Sequence, residues 1–148
     1  MANVYSLKVE TDEEQIRGLI EERIQAFRDR NIDVLLSRYL PGVTTFNLAP
    51  PLRTLGVDRE GSEAWLKSYQ TPIICEIKDL SIFSSGDVGF CHSLNRFTGT
   101  MNNGKEEDMW LRATLGLRKI ENKWMIAHEH MSEPFDMSTF KALLDLKP

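Results

Sequence analysis

The chain has 148 residues, 41% hydrophobic and 27% charged, which suits one compact domain whose core needs neither disulfides nor a structural metal. Eighteen Lys and Arg against 22 Asp and Glu leave a net charge of −4, so there is no phosphate-neutralising field and nucleic acid is not an expected partner. No apolar run approaches the ~18 residues of a membrane span, and MANVYSLKVE lacks the basic and apolar parts of a secretory leader. A cytoplasmic protein with no membrane partner is expected, residues 1–148 forming a single domain with its core over about 10–136 and a tail over 137–148.

Thr11-Asp12-Glu13-Glu14 is a capping box, and its acidic turn suits a helix N-terminus. Ile16, Leu19, Ile20, Ile24 and Phe27 then recur at helical spacing, while Arg17, Glu21, Glu22 and Arg28 take the opposite face. A second helix is expected over 32–39, ended by Pro41-Gly42, and a short strand over 43–47. Pro50-Pro51 makes the next stretch a stiff loop. Asp58 caps a third helix that carries Trp65, Leu66 and Tyr69 and stops before Pro72. Four long strands follow, over 73–83, 88–100, 105–120 and 123–132, separated by Ser85-Gly86, Asn103-Gly104 and Glu121-Asn122. The result is an α+β fold with three N-terminal helices on one face of a curved antiparallel sheet, and a short closing helix over 137–146.

Two-residue turns at Asn103-Gly104 and Glu121-Asn122 determine which side chains are neighbours. In that register one face collects His92, Leu94, Arg96, Leu111, Ala113, Leu115, Trp124, Ile126, His128 and His130. It is aliphatic with polar groups at one end, as a pocket wall would be. The other face collects Ser93, Asn95, Phe97, Asp108, Trp110, Arg112, Met125, Glu129 and Met131. That is too apolar for solvent, so a homodimer through this face, with Asp108 and Arg112 available for ion pairing, is expected.

An inward-facing Arg96 needs an anion, either Asp79 or a ligand. His92 and His130 are the candidate bases, with Arg96 polarising a carbonyl or enolate. His128, Trp124, Ile126 and Asn47 complete the expected binding residues. No carboxylate or Cys completes a metal-ligand spacing with the histidines, and no nucleophile elbow, phosphate loop or HExxH is present, so neither metal nor cofactor is expected. Cys75 and Cys91, each inside an expected strand, read as small core residues.

Phe46-Asn47-Leu48-Ala49-Pro50-Pro51-Leu52, Cys91-His92-Ser93-Leu94-Asn95-Arg96, Asp108-Met109-Trp110-Leu111-Arg112-Ala113-Thr114 and the terminal HEHMSEPFD, set in this order of elements, resemble the SnoaL-like and ketosteroid isomerase-related proteins of the nuclear transport factor 2-like superfamily. The resemblance covers about residues 10–136. It implies a cystatin-like α+β roll: a cone of curved sheet and three helices around a deep pocket, paired back to back through the sheet. The last strand also resembles the association domain of calcium/calmodulin-dependent protein kinase II, whose arginine-lined pocket binds small carboxylates. Active relatives move protons beside a carbonyl, using an Asp base with an oxyanion hole of Tyr and protonated Asp. By position that base falls on Asn47, which cannot accept a proton at neutral pH. The first helix has no Tyr, and the protonated acid falls near Ala113, so steroid isomerisation is disfavoured. The expected function is a pocket for a small carbonyl or carboxylate molecule, either a cofactor-free isomerase, cyclase or dehydratase, or a non-catalytic binding or association domain.

Overall fold

A computed structural model describes residues 9–148; the reading of residues 1–8 as part of no secretory leader lies outside the described residues. Nine elements follow one another: α1 (Asp12–Asp29), α2 (Ile32–Ser37), β1 (Tyr39–Phe46), β2 (Thr54–Leu55), α3 (Arg59–Lys67), β3 (Ile74–Ser85), β4 (Val88–Thr100), β5 (Glu106–Ile120) and β6 (Lys123–Ser132). The strands form one sheet in the order β2-β1-β6-β5-β4-β3. Its neighbours run antiparallel except β1 and β6, which are parallel. No helix among the described residues is long and apolar enough to cross a membrane.

Each helix starts where a side chain takes a free amide. Thr11 Oγ1 accepts from the Glu14 N–H at 3.1 Å while Glu14 Oε2 accepts from the Thr11 N–H at 2.9 Å, closing the capping box of α1. Asn31 and Asp58 accept from Val34 and Gly61 at the starts of α2 and α3. Helix α2 ends at Ser37 rather than at residue 39, because Tyr39 pairs with Ile126 as the first residue of β1. Pro41-Gly42 therefore lies inside a strand, where the register slips between Tyr39 and Thr44 and no ladder donor is needed. The expected closing helix does not form. Asp136 Oδ1 instead accepts from the amides of Ser138 and Thr139, and Phe135 bridges Ala142.

Two local features correct the expected faces. At the β4–β5 turn Met101 N–H donates to Lys105 O at 2.8 Å and Gly104 N–H to Met101 O at 2.9 Å. The loop thus holds Asn102, Asn103 and Gly104, with Gly104 at φ 82°. Asn102 is fixed there by α3, its N–H donating to Ser68 O and its amide to Lys67 O. The extra residue turns β4 over relative to β5: His92 pairs with Thr114, Leu94 with Arg112 and Arg96 with Trp110. The β5–β6 turn does have two residues, since Ile120 pairs with Lys123. A bulge then intervenes: Leu117 pairs with Ile126 but Gly116 with His128, so Ala127 is the extra residue and β6 reverses its faces beyond it. Gly116 makes room, for a Cβ there would lie 3.2 Å from that of His128.

After both corrections the inner face carries Cys91, Ser93, Asn95, Phe97, Leu111, Ala113, Leu115, Leu117, Trp124, Ile126 and Glu129. One buried cluster joins Ile16, Leu19 and Ile20 of α1 to Leu115, Leu117, Trp124 and Ile126 of the sheet. A second joins Ala26 and Leu35 to Leu66, Phe97 and Leu111. Helices therefore cover one face. The outer face carries Phe46, Phe83, Phe90, His92, Leu94, Arg96, Trp110, Arg112, His128 and His130.

Candidate functional site

The helical stripe of α1 does not stop at its apolar residues. Arg23 follows Ile16, Leu19 and Ile20 at the same spacing, so its guanidinium is carried under the sheet, 6% exposed. The bulge at Ala127 brings Glu129 to the inner face, 7% exposed, and β1 brings Tyr39 beside both. Arg23 Nη2 donates to Glu129 Oε1 at 2.9 Å and to Tyr39 Oη at 3.1 Å, and the Tyr39 hydroxyl donates to Glu129 Oε2. The guanidinium also lies 4.9 Å from the Tyr39 ring centre.

These groups are mutually compensated. Burial works against the Arg23 cation, but Glu129 and Tyr39 outweigh it and hold it charged. Burial pushes the Tyr39 phenol up, Glu129 adding to this, so it is a neutral donor at physiological pH. Burial likewise raises the Cys75 thiol to about 12 and Cys91 to about 11. Both are free, and both are unreactive at neutral pH.

Arg23 and Glu129 border a cavity of about 40 Å³ between α1 and the sheet. Its wall is mostly apolar, from Ile20, Ile24 and Phe27 of α1 to Ile77 and Leu115 of the sheet, with Ser93 and Asn95 as the remaining polar groups. Ser93 Oγ donates to Asn95 Oδ1 at 2.6 Å, and no group among the described residues accepts from the Asn95 amide N–H groups. A larger groove of about 360 Å³ lies on the far side of α1 beside the β5–β6 turn, but it is open and of mixed charge, and Arg38 and Glu22, which line it, pair with each other at 2.9 Å. The smaller cavity is where buried, chemically useful groups converge.

The residues expected from sequence lie elsewhere. Arg96 is on the outer face, with Nε and Nη2 donating to the two oxygens of Asp108 at 2.8 and 3.0 Å and Nη1 donating to Glu76 at 2.8 Å. Its counter-ion is not Asp79, which occupies the β3 bulge at φ 54°. His92 is exposed beside the stacked rings of Phe83 and Phe90. His128 and His130 turn their rings toward the edge of Phe46, and His128 Nδ1 lies 2.7 Å from Thr44 O. Trp124 and Ile126 face inward as expected but are packed in the core with Leu19 and Leu117 rather than bordering the cavity. Asn47 is exposed just past β1, its amide 3.4 Å from Thr45 Oγ1. Pro50-Pro51 is exposed as well.

Arg23, Tyr39, Glu129 and Asn95 were not among the expected site residues. Arg23 had a legible signal, a lone cation in the core-facing stripe of an amphipathic helix. Glu129 and Asn95 had none apart from register, which one extra loop residue and one bulge decide.

The SnoaL-like domain model matches residues 16–136. No curated protein matches the chain significantly. Among solved structures, a nuclear transport factor 2-like protein of unknown function from Pseudomonas putida KT2440 is 35% identical over 92% of this chain and 96% of its own, with a TM-score of 0.83. A Xanthomonas campestris protein named for the calcium/calmodulin-dependent protein kinase II association domain is 18% identical over 95% and 94%, with a TM-score of 0.71. A Streptomyces avermitilis protein named as a dehydratase of the same superfamily is 15% identical over 82% and 95%, also with a TM-score of 0.71. The last two share the fold alone. By the family model and the extent of the first of these likenesses, the chain belongs to the SnoaL-like family of the nuclear transport factor 2-like superfamily.

Proposed function

We propose that the protein is a small-molecule pocket protein that takes a small, neutral, mostly apolar carbonyl compound between α1 and the sheet, the Asn95 amide meeting the carbonyl oxygen. The observation that carries this reading is the charge balance of the cavity. Glu129 already neutralises Arg23 at 2.9 Å, so an incoming carboxylate would bring a second anion beside a buried one, whereas a neutral carbonyl meets free N–H donors. At about 40 Å³ the cavity holds no more than a few water-sized groups, well under the ~300 Å³ at which ligand sites usually begin. Binding therefore widens it.

Two activities fit this site. In the cofactor-free isomerase, cyclase or dehydratase reading, Glu129 takes a proton from the carbon beside the carbonyl and Asn95 steadies the enolate oxygen. In the binding reading no proton moves. That second reading is favoured by the hydrogen bonds of Glu129: both oxygens already accept, one from Arg23 and one from Tyr39, so taking a substrate proton would mean giving up one of these bonds in a buried site. The proposed partner is a second copy across the outer sheet face shared by Trp110 and Arg112, with Asp108 held by Arg96.

Exchange of the α-protons of cyclopentanone for deuterium, followed by NMR at neutral pD, separates the activities. Exchange faster than buffer and lost in Glu129→Gln supports the enzyme. No acceleration, with cyclopentanone still perturbing the cavity methyls, supports the binder. Neither acceleration nor perturbation overturns the pocket.

A further inference from the structure

All three histidines of the chain stand on the face of the sheet that no helix covers. His92 and His130 flank Thr114 in one row across the sheet, and His128 lies in the adjacent row beside Gly116 and Phe90. The aromatic rings of the same face are Phe83 and Phe90, stacked at 4.8 Å, Phe46 against His128 and His130, and Trp110 opposite Arg96. Phe83 and Phe90 are 50% and 47% exposed, a large cost if water were their only neighbour.

The size of the face suits a second copy of the chain. Four strands, with β4 of 13 residues, at about 3.3 Å per residue and 4.8 Å between strands, present roughly 800 Å². That is about the ~800 Å² each partner buries in a stable protein interface, and a sheet face bearing several aromatic rings is a surface that a second copy can match under two-fold symmetry.

We infer that the histidine-bearing face forms a contact between two copies of this chain that is closed at neutral pH and opened by mild acid. This rests on the proposed association through the outer face and adds its regulation. The charges around the imidazoles decide the sign. From β3 come Lys78 and Glu76, from β4 Arg96, and from β5 Arg112, Arg118, Asp108 and, at the far end, Glu106. Strand β1 contributes Thr44 and Phe46, neither of them charged, and β6 contributes Met125, Ser132 and, at its start, the cation Lys123. Two of the three carboxylates, Glu76 and Asp108, are bound by Arg96, and the tail brings Lys147 toward Asp108 as a further cation. Glu133, next along the chain from Ser132, interacts with Arg112, and among the described residues no carboxylate pairs with an imidazole, so imidazoles that acquire a proton here gain no ion-pair partner within their own copy. Histidine is the side chain whose charge ordinarily changes between pH 5 and 8, so acid places up to three extra cations on each copy beside Arg112 and Arg118, on a face that the contact would strip of water.

Sedimentation equilibrium of the full chain at pH 7.5 and 5.5, with circular dichroism to confirm folding at both, tests the inference. A dimer is expected at pH 7.5, weakened at least tenfold at pH 5.5. Trp110→Asp should give a monomer at both. His92→Gln, His128→Gln and His130→Gln combined should keep the dimer and abolish most of its pH response. A folded monomer at both pH values, or a dimer that survives Trp110→Asp, overturns the outer-face association itself. A dimer of equal strength at both, or a triple variant that still responds, overturns the histidine switch and leaves the association standing.

Discussion

The two faces of the sheet hold their charges in opposite ways. On the inner face Arg23 and Glu129 are each below a tenth exposed, bound to one another and to Tyr39. On the outer face of a single copy Arg96 binds Asp108 and Glu76 with distances just as short, but all three are open to water. Equal geometry does not mean equal energy. A buried pair is held because either partner left alone would be an uncompensated charge in apolar surroundings, while a solvated pair loses little when broken. The inner groups are therefore suited to shaping a ligand site of unchanging charge, and the outer groups to answering the solvent.

The most severe way to break this contrast is to insert one alanine after His128. The added residue would turn Glu129 outward and His130 inward, leaving Arg23 buried without a counter-ion, and no cooperative urea transition is expected. Next is Arg23→Leu, which strands the Glu129 carboxylate and should cost about 3–5 kcal/mol in urea unfolding. Arg23→Leu with Glu129→Leu should recover much of that loss, showing that the penalty belongs to the unpaired charge. On the outer face Arg96→Leu, made in the monomeric Trp110→Asp background, should move the urea midpoint barely beyond error.

Alkaline pH sharpens the same contrast. The folded-state values of Cys75 and Cys91 lie above the ordinary 9.0, at about 12 and about 11, so the unfolded chain releases these protons first. Stability is fully present below pH 9 and falls as pH rises through the window up to about 11 to 12. Tyr39, also raised, extends the loss above its ordinary 10.0. Urea midpoints from pH 8 to 11 should fall, and Cys75→Ala with Cys91→Ala should flatten the first part of that slope. A small effect is also expected of Gly116→Ala, whose Cβ would press to 3.2 Å on that of His128. About 1 kcal/mol or less is expected, together with a changed NMR environment for His128.

Elements were legible because their signals are local. The capping box at Thr11, the Asp58 cap, the turn at Glu121-Asn122 and the four long strands are each determined by a few neighbouring residues. The faces were not legible, since one residue more or less in a loop reverses a whole strand. Asn103-Gly104 reads as a two-residue turn, and it is contact with Lys67 of α3 and with Ser68 just after it that draws Asn102 into a longer loop. Nothing in Ile126-Ala127-His128 marks a bulge, which depends on the space left by Gly116 one strand away. The inward histidines and Arg96 followed from the unbroken register. Arg23 alone could have been found from the spacing of α1, since a cation at a core position needs an anion.

Methyl NMR of isoleucine-labelled protein tests most directly whether the cavity beside Arg23 and Glu129 receives a neutral carbonyl compound. Titration with cyclopentanone should shift the methyls of Ile20, Ile24 and Ile77 saturably, with cyclopentanecarboxylate at least tenfold weaker. Unperturbed cavity methyls, or a preference for the carboxylate, would contradict the account.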